Sequence, residues 1–381
     1  MVDGPTELVI EQRLPFGCHA APEERALRYV GRHAARMPFF LFGIAAVRLP
    51  SLLRIRFIKR KARGIMSASS FMLTGKLMSQ ASPAFSADTL TPVTSEPMLL
   101  GESPLWHAEE GALYWIDIPG KAVHKLVLGT QQHQRWDMPE EPGSIVKHAQ
   151  GGLVVALRTG MFHLNTGNGA LSLLLEAPYD TPRIRFNDGR CDAAGRFWCG
   201  TIYEPRDRDG GTLYCFERNA LRDAHHAVVT SNGVAFSPDQ RLMYHANTPA
   251  HRINVYDYDL ATGQTSQCRL LRQFDSDKSA PDYGGRPDGA TVDSEGAYWC
   301  AMFEGGRVLR LSPQGEILQE IRLPARCPTM VAFGGEDLRT LFITTGRNGR
   351  SDAELAQYPL SGHVLAIRVA VPGRLEYSYR P

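Results

Sequence analysis

Four residues recur in this chain at one fixed distance. Asp192, Gly195, Trp198 and Cys199 in CDAAGRFWCG return as Asp293, Gly296, Trp299 and Cys300 in VDSEGAYWCA, each displaced by 101 positions. Weaker copies lie at 107–118 (HAEEGALYWIDI), 148–160 (HAQGGLVVALRTG), 237–248 (SPDQRLMYHANT) and 334–346 (GGEDLRTLFITTG). Each is a polar tight turn followed by a β-branched or aromatic run, which is a hairpin signal. The start of each unit is regular too. The starts fall at Glu102-Ser103, Gly143-Ser144, Asn187-Asp188, Asn232-Gly233, Asp288-Gly289 and Pro328-Thr329, spaced by 41, 44, 45, 56 and 40 residues. A repeat of 40–50 residues made of several short strands is the signature of a β-propeller. The expected fold is therefore all-β, a six-bladed β-propeller over residues 96–381. An α/β fold would need long helical periodicity between strands, and none is present. A β-sandwich would not explain six copies. The 36 glycines and 25 prolines suit a turn-rich chain.

A propeller must also join its last blade to its first, because an open ring leaves unpaired sheet edges. Gly362–Val371 is β-rich and follows the last unit, and Pro92–Leu100 precedes the first. One of them is expected to cross over and complete a blade with strands from the other end.

The 381 residues carry 42 Lys+Arg and 40 Asp+Glu, a net charge of +2 that gives no reason to expect nucleic acid as a partner. The balance hides an asymmetry. Residues 1–95 hold 13 basic and 6 acidic side chains, so the remaining 286 are net acidic. Residues 1–95 read as a basic, poorly ordered N-terminal extension. Within it Met37–Val47 is apolar but only 11 residues long, and seven Lys/Arg follow between Arg48 and Arg63. A membrane-surface or targeting arm, an extension without function, and initiation at Met66, Met72 or Met78 all fit that pattern. No run of 18 apolar residues exists, so no conventional membrane span is expected. Seven cysteines without a CxxC pair suggest a reducing, cytoplasmic compartment, or a secreted or periplasmic one if a leader is present. Cys199 and Cys300, inside apolar runs, read as buried thiols.

Equivalent positions in propeller blades lie on a ring around the central channel, so the six unit starts should meet at one mouth. Glu102, Asn232 and Asp288 bring oxygen donors there, and Asn187-Asp188 adds a fourth contribution. Asn and Asp before Gly are also ordinary turn formers; that explanation does not cover Glu102. No GxSxG, HExxH or P-loop pattern is present. The histidines show no metal spacing. Trp198 and Trp299 share a repeat position and read as core, and His225-His226 reads as an exposed pair.

The segments GESPLWHAEEGALYWIDI, RFNDGRCDAAGRFWCGTI, SNGVAFSPDQRLMYHANT and RPDGATVDSEGAYWCAMFEGGRVLRLSPQGE resemble the SMP-30/gluconolactonase family, which includes regucalcin and bacterial sugar lactonases. The resemblance runs from Leu99 to Val369. It implies a six-bladed propeller with one divalent cation in its channel. It further implies Glu102, Asn232 and Asp288 as metal ligands, Asp288 also as general base, and Arg185 and Asn187 as substrate contacts. One departure bears on specificity. Vertebrate members carry an acidic pair shortly after the GT segment, whereas GTIYEPRD here has Glu204 followed by Pro205.

Three oxygen ligands, two of them anionic, suit Ca²⁺ first, with Mg²⁺, Mn²⁺ or Zn²⁺ as alternatives. The implied activity is metal-dependent hydrolysis of a sugar lactone to the aldonic acid, an EC 3.1.1-type carboxylic ester hydrolase. A regucalcin-like calcium- or ligand-binding propeller without turnover, and a hydrolase of another ester, are the alternatives. The expected partner is a small sugar lactone, with no nucleic acid and no membrane, and the expected state is a monomer or small homo-oligomer.

Overall fold

In the computed structural model the described residues are 89–381. The apolar run at 37–47, the basic segment after it and the alternative start sites lie outside them. The chain forms β1 (Thr91–Pro92) and then six antiparallel sheets in succession. Blade one holds β2 (Gly101–His107), β3 (Ala112–Asp117), β4 (Ala122–Val127) and β5 (Gln132–Asp137). Blade two holds β6 (Pro142–His148), β7 (Leu153–Leu157), β8 (Gly160–Leu164) and β9 (Leu171–Glu176). Blade three holds β10 (Ile184–Cys191), β11 (Phe197–Tyr203), β12 (Gly211–Glu217) and β13 (Ala220–Val228). Blade four holds β14 (Ser231–Phe236), β15 (Leu242–Asn247), β16 (Arg252–Asp259) and β17 (Gln264–Gln273). Blade five holds β18 (Arg286–Val292), β19 (Tyr298–Phe303), β20 (Arg307–Leu311) and β21 (Ile317–Arg322). Blade six holds β22 (Cys327–Gly334), β23 (Thr340–Gly346) and β24 (Leu365–Arg368), with the short helix α1 (Asp352–Gln357) between the last two. A final strand, β25 (Ser378–Tyr379), lies beyond them.

The sixth sheet is completed by β1, which pairs antiparallel with β24 through Thr91↔Ala366 and Pro92↔Leu365. The crossing strand thus starts at Thr91, inside the segment that the sequence reading gives to the extension. The C-terminal residues make a second tie that the sequence did not announce. They pass from blade five, where Ser294 N donates to Pro372 O, to blade three, where Arg190 pairs with Glu376. They end as β25, parallel to β6 of blade two.

Six apolar clusters hold the ring, one at each junction between neighbouring blades. Because both faces of each sheet are covered, inner strands such as β3 (ALYWID) and β22 (CPTMVAFG) are buried throughout. They lack the one-sided alternation of a solvated sheet. The outer strands β5 and β21 are mostly exposed.

The 101-residue echo has a local cause. In blade three, Asp192 accepts from Arg196 N (3.0 Å) and from Trp198 Nε1 (3.1 Å) across the turn that Gly195 makes at φ +90°. In blade five, Asp293 accepts from Ala297 N (2.9 Å) and Trp299 Nε1 (2.9 Å) across Gly296 at φ +89°. The carboxylate caps the turn and satisfies an indole N–H that burial would otherwise orphan. Both tryptophans are core residues, and Cys199 and Cys300 are buried free thiols. His225 is half-buried against Tyr256 at 4.4 Å, while His226 is exposed, so only half of that pair faces solvent.

Candidate functional site

All six innermost strands share one irregularity. The register slips between Glu102 and Leu105, Pro142 and Ser144, Phe186 and Gly189, Asn232 and Ala235, Pro287 and Ala290, and Pro328 and Met330. These are the six unit starts. A β-bulge leaves a residue unpaired and re-aims its side chain. The repeated Asn/Asp-Gly and Glu-Ser pairs therefore mark bulges; Ser103 sits at φ +48° and Gly233 at φ +61°.

The bulges place Glu102, Arg185, Asn187, Asn232 and Asp288 on the wall of one cavity of about 240 Å³. The rest of the wall includes Thr248, Thr329, Arg206, Arg286 and the apolar side chains of Ile118, Ile202 and Phe303. A hydrogen-bonded chain crosses the floor. Asn187 Nδ2 donates to Asn232 Oδ1 (2.5 Å) and to Ser231 O (3.1 Å). Asn232 Nδ2 donates to Thr248 Oγ1 (2.7 Å) and to Asp288 Oδ1 (2.5 Å). Thr248 in turn donates to Pro287 O (2.7 Å). Among the described residues Glu102 accepts only from Ser103 N (2.8 Å). Behind the floor, Asp188 Oδ2 accepts from Gly233 N (2.6 Å), while its Oδ1 has no hydrogen-bond partner among the described residues.

The floor and the layer behind it therefore gather three buried carboxylates: Glu102 7%, Asp288 7% and Asp188 2% exposed. Burial, then the charges of Asp288 and Asp188, push Glu102 well above its ordinary range. Burial, then Asp188, does the same to Asp288. Burial raises Asp188 to about 6, against the pull of Arg190. Carboxylates arranged this way repel one another and have lost their water, so the arrangement calls for a cation.

Arg185 is held from both sides. Its Nη1 donates to Asn187 Oδ1 (3.1 Å) and Phe186 O (3.0 Å), and its Nε pairs with Glu204 at 3.3 Å. Arg158 bridges Glu204 (3.0 Å) and Glu141 (3.0 Å) behind it. Glu204, the surviving acid after the GT segment, thus anchors the guanidinium. Sequence reasoning missed Arg206, Arg286, Thr248 and the Arg158–Glu141 buttress. Arg286 stood next to the PDG segment and carried a signal. Arg206 comes from a loop whose register no repeat fixes, and Thr248 ends the repeat copy at 237–248, where it read as an ordinary turn residue.

A closed six-bladed propeller with bulged inner strands and an acid-floored cavity defines the class of protein. Residues 100–347 match the model of the SMP-30/gluconolactonase/LRE-like region. The chain belongs to that family. It is 49% identical over 297 residues to a 6-deoxy-6-sulfogluconolactonase of Pseudomonas putida, covering 76% of this chain and 98% of that one. It is 32% identical to human regucalcin over 75% of this chain and 97% of that one. Among solved structures, a calcium-binding regucalcin from Agrobacterium tumefaciens aligns with a TM-score of 0.71 and 27% identity, covering 76% of this chain and 97% of that one.

Proposed function

We propose that this protein is a metal-dependent hydrolase of a sugar lactone of the gluconolactone type, yielding the aldonic acid. The observation that carries the reading is the cavity floor, where buried acids and one amide converge beside a guanidinium. The volume of about 240 Å³ lies below the roughly 300–1,000 Å³ of sites for drug-sized ligands, as a monosaccharide-sized substrate requires. The name of the Pseudomonas relative supports the same substrate class.

The residues present fit a hard divalent cation. Glu102, Asp288 and the amide oxygen of Asn232 would hold it, and Asp188 would add a neutralising charge from behind. For Asn232 this asks for its amide to turn, exchanging the contact it now donates to Asp288. When bound, the cation supplies polarisation of the ester carbonyl and a lowered pKa for a water. Asp288 takes the proton from the attacking water, as its place in a desolvated floor allows. Arg185 holds substrate hydroxyls, and Glu204 and Asn187 fix its orientation. Water adds to the acyl carbon, the ring C–O bond breaks, and the proton that Asp288 took from the water passes to the ring oxygen, which leaves as a hydroxyl.

The test is acid release from glucono-1,5-lactone in a pH-stat, using metal-stripped protein and protein reloaded with Ca²⁺, Mg²⁺, Mn²⁺ or Zn²⁺. Turnover restored by metal is expected. Metal binding without acid release from any lactone would favour a binding propeller instead. For the whole chain, we propose that residues 1–95 form an extension to this catalytic propeller, of which residues 90–94 pack against blade six.

A further inference from the structure

The six innermost strands all begin at the cavity floor, so residues further along them line the opposite end of the channel. Residues 372–380 cross that end. Backbone bonds hold this tail on both sides. Gly373 N donates to Leu338 O (2.8 Å) in blade six, and Arg380 N donates to Gly195 O (2.9 Å) in blade three. Between those anchors stand Glu376 and Tyr377. Two residual cavities of about 30 and 10 Å³ flank them. Inner-strand residues of all six blades, from Leu105 of blade one to Met330 of blade six, line one or the other. Glu376 therefore stands inside the ring of innermost strands, beneath the acidic floor.

Glu376 pairs there with Arg190 of β10 through Nη1. The other donors of that guanidinium reach two further blades. Its Nε donates to Val234 O (3.2 Å) in blade four, and its Nη2 to Ala290 O (2.6 Å) in blade five. Arg190 is buried, and the Glu376 side chain is 13% exposed. An arginine presents its donors in one rigid plane, so partners on three sides fix it. The two carbonyls occupy equivalent places. Val234 stands two residues beyond Asn232, Ala290 two beyond Asp288, and Arg190 itself two beyond Asp188. Two residues of strand span roughly 7 Å. Arg190 thus ties three neighbouring strands one step beneath the residues that would hold the cation.

We propose that Arg190 is a positioning residue of the metal site: seated by Glu376 of the tail, it holds β10, β14 and β18 at the spacing that Asn232 and Asp288 need to grip one cation. The inference rests on the reading of those two residues as metal ligands and deepens it. Charge by itself acts in the other direction. A guanidinium beneath the floor repels a bound cation, so taking its charge away would tighten binding. Loss of the strand spacing loosens it.

Calorimetry of Ca²⁺ binding to the full chain separates the two effects. Arg190→Met combined with Glu376→Met removes the ion pair together and leaves the net charge unchanged. Apolar replacement of a buried pair is a change that folds often tolerate. The affinity of this double variant for Ca²⁺ should fall roughly 10- to 100-fold, the usual cost of losing an outer support of a metal site. Glu376→Ala should weaken binding severalfold. Glu376→Gln, whose amide oxygen still accepts from Arg190, should restore most of the loss. A double variant that binds Ca²⁺ as the parent does, or equal losses in Glu376→Ala and Glu376→Gln, would overturn the proposal. Should the double variant fail to fold, the two Glu376 variants decide. A second readout needs no metal. In chelator-treated Glu376→Ala, amide hydrogen exchange at 231–236 and 286–292 should quicken roughly tenfold, while 101–107 exchanges as in the parent. Unchanged exchange at both segments would sink this inference, whereas a parent that binds no divalent ion would sink the metal reading alone.

Discussion

Replacing Asp188 by Asn removes one of the three charges at and behind the cavity floor without removing its volume. Asp188 Oδ2 accepts from Gly233 N, and an Asn carbonyl can keep that bond. The Oδ1 atom, which has no partner among the described residues, would be exchanged for an amide nitrogen. Burial raises the Asp188 carboxyl from 3.8 to about 6. Because the folded value lies above the unfolded one, its protonated form stabilises the fold, and that stabilisation is lost as pH rises from about 4 through about 6. The loss amounts to about 3 kcal/mol for a single group at neutral pH. Asp188→Asn escapes it. In chelator-treated protein at pH 8 the variant should melt roughly 6 °C above the parent, a gain that shrinks toward zero at pH 4. Its charge also weighs on Glu102 and Asp288, so relief at those groups adds to the gain. Saturating Ca²⁺ should erase the advantage, because a bound cation offsets the same repulsion and the variant holds it less tightly. Calorimetric melting of both proteins from pH 4 to 8, with and without Ca²⁺, is the assay. A variant no more stable than the parent at pH 8, or a gain independent of pH, would refute the argument that uncompensated charge strains the floor.

Two other substitutions and three truncations test the site and the ring. Asp288→Ala should abolish lactone turnover and tight metal binding while far-UV circular dichroism stays unchanged; near-normal turnover with added metal would remove Asp288 from its role. Gly233→Ala should distort the floor, since a Cβ there would lie 2.2 Å from Tyr298 Oη and 3.0 Å from Asp288 O at φ +61°, and activity should fall at least tenfold. A chain starting at Thr89 should keep the melting temperature of the full protein. One starting at Pro97 loses β1 and uncovers the edge of β24, and should melt several degrees lower. Deleting Gly362 onward removes both β24 and β25 and should unfold the domain cooperatively; a folded, active product would contradict closure by these strands.

Much of this protein is determined locally, and that part was open to reading in the chain. The Asp-x-x-Gly turn that accepts an indole N–H three residues beyond its glycine must recur wherever a blade hairpin recurs. Asp192 and Asp293 therefore advertised the propeller and its period. The bulges were visible for the same reason. A left-handed residue inside a strand needs small or turn-forming neighbours; Glu102-Ser103 and Asn232-Gly233 supplied them, and Asp188-Gly189 and Asp288-Gly289 marked the same register. Regular spacing then carried Glu102, Asn187, Asn232 and Asp288 to one mouth. What the sequence could not decide lies where the repeat breaks. Closure by two residues, Thr91 and Pro92, rests on pairing partners some 275 positions away and leaves no periodic trace. The tail that runs from blade five to blade two and ends as β25 has no counterpart in any unit. Arg206 reaches the cavity only because its loop folds back across Tyr203, and the sharing of Glu304 among three cations depends on segments far apart in sequence. Charge matching of that kind is a property of positions in space. Tertiary structure therefore decided which arginine is matched by an acid and which is not.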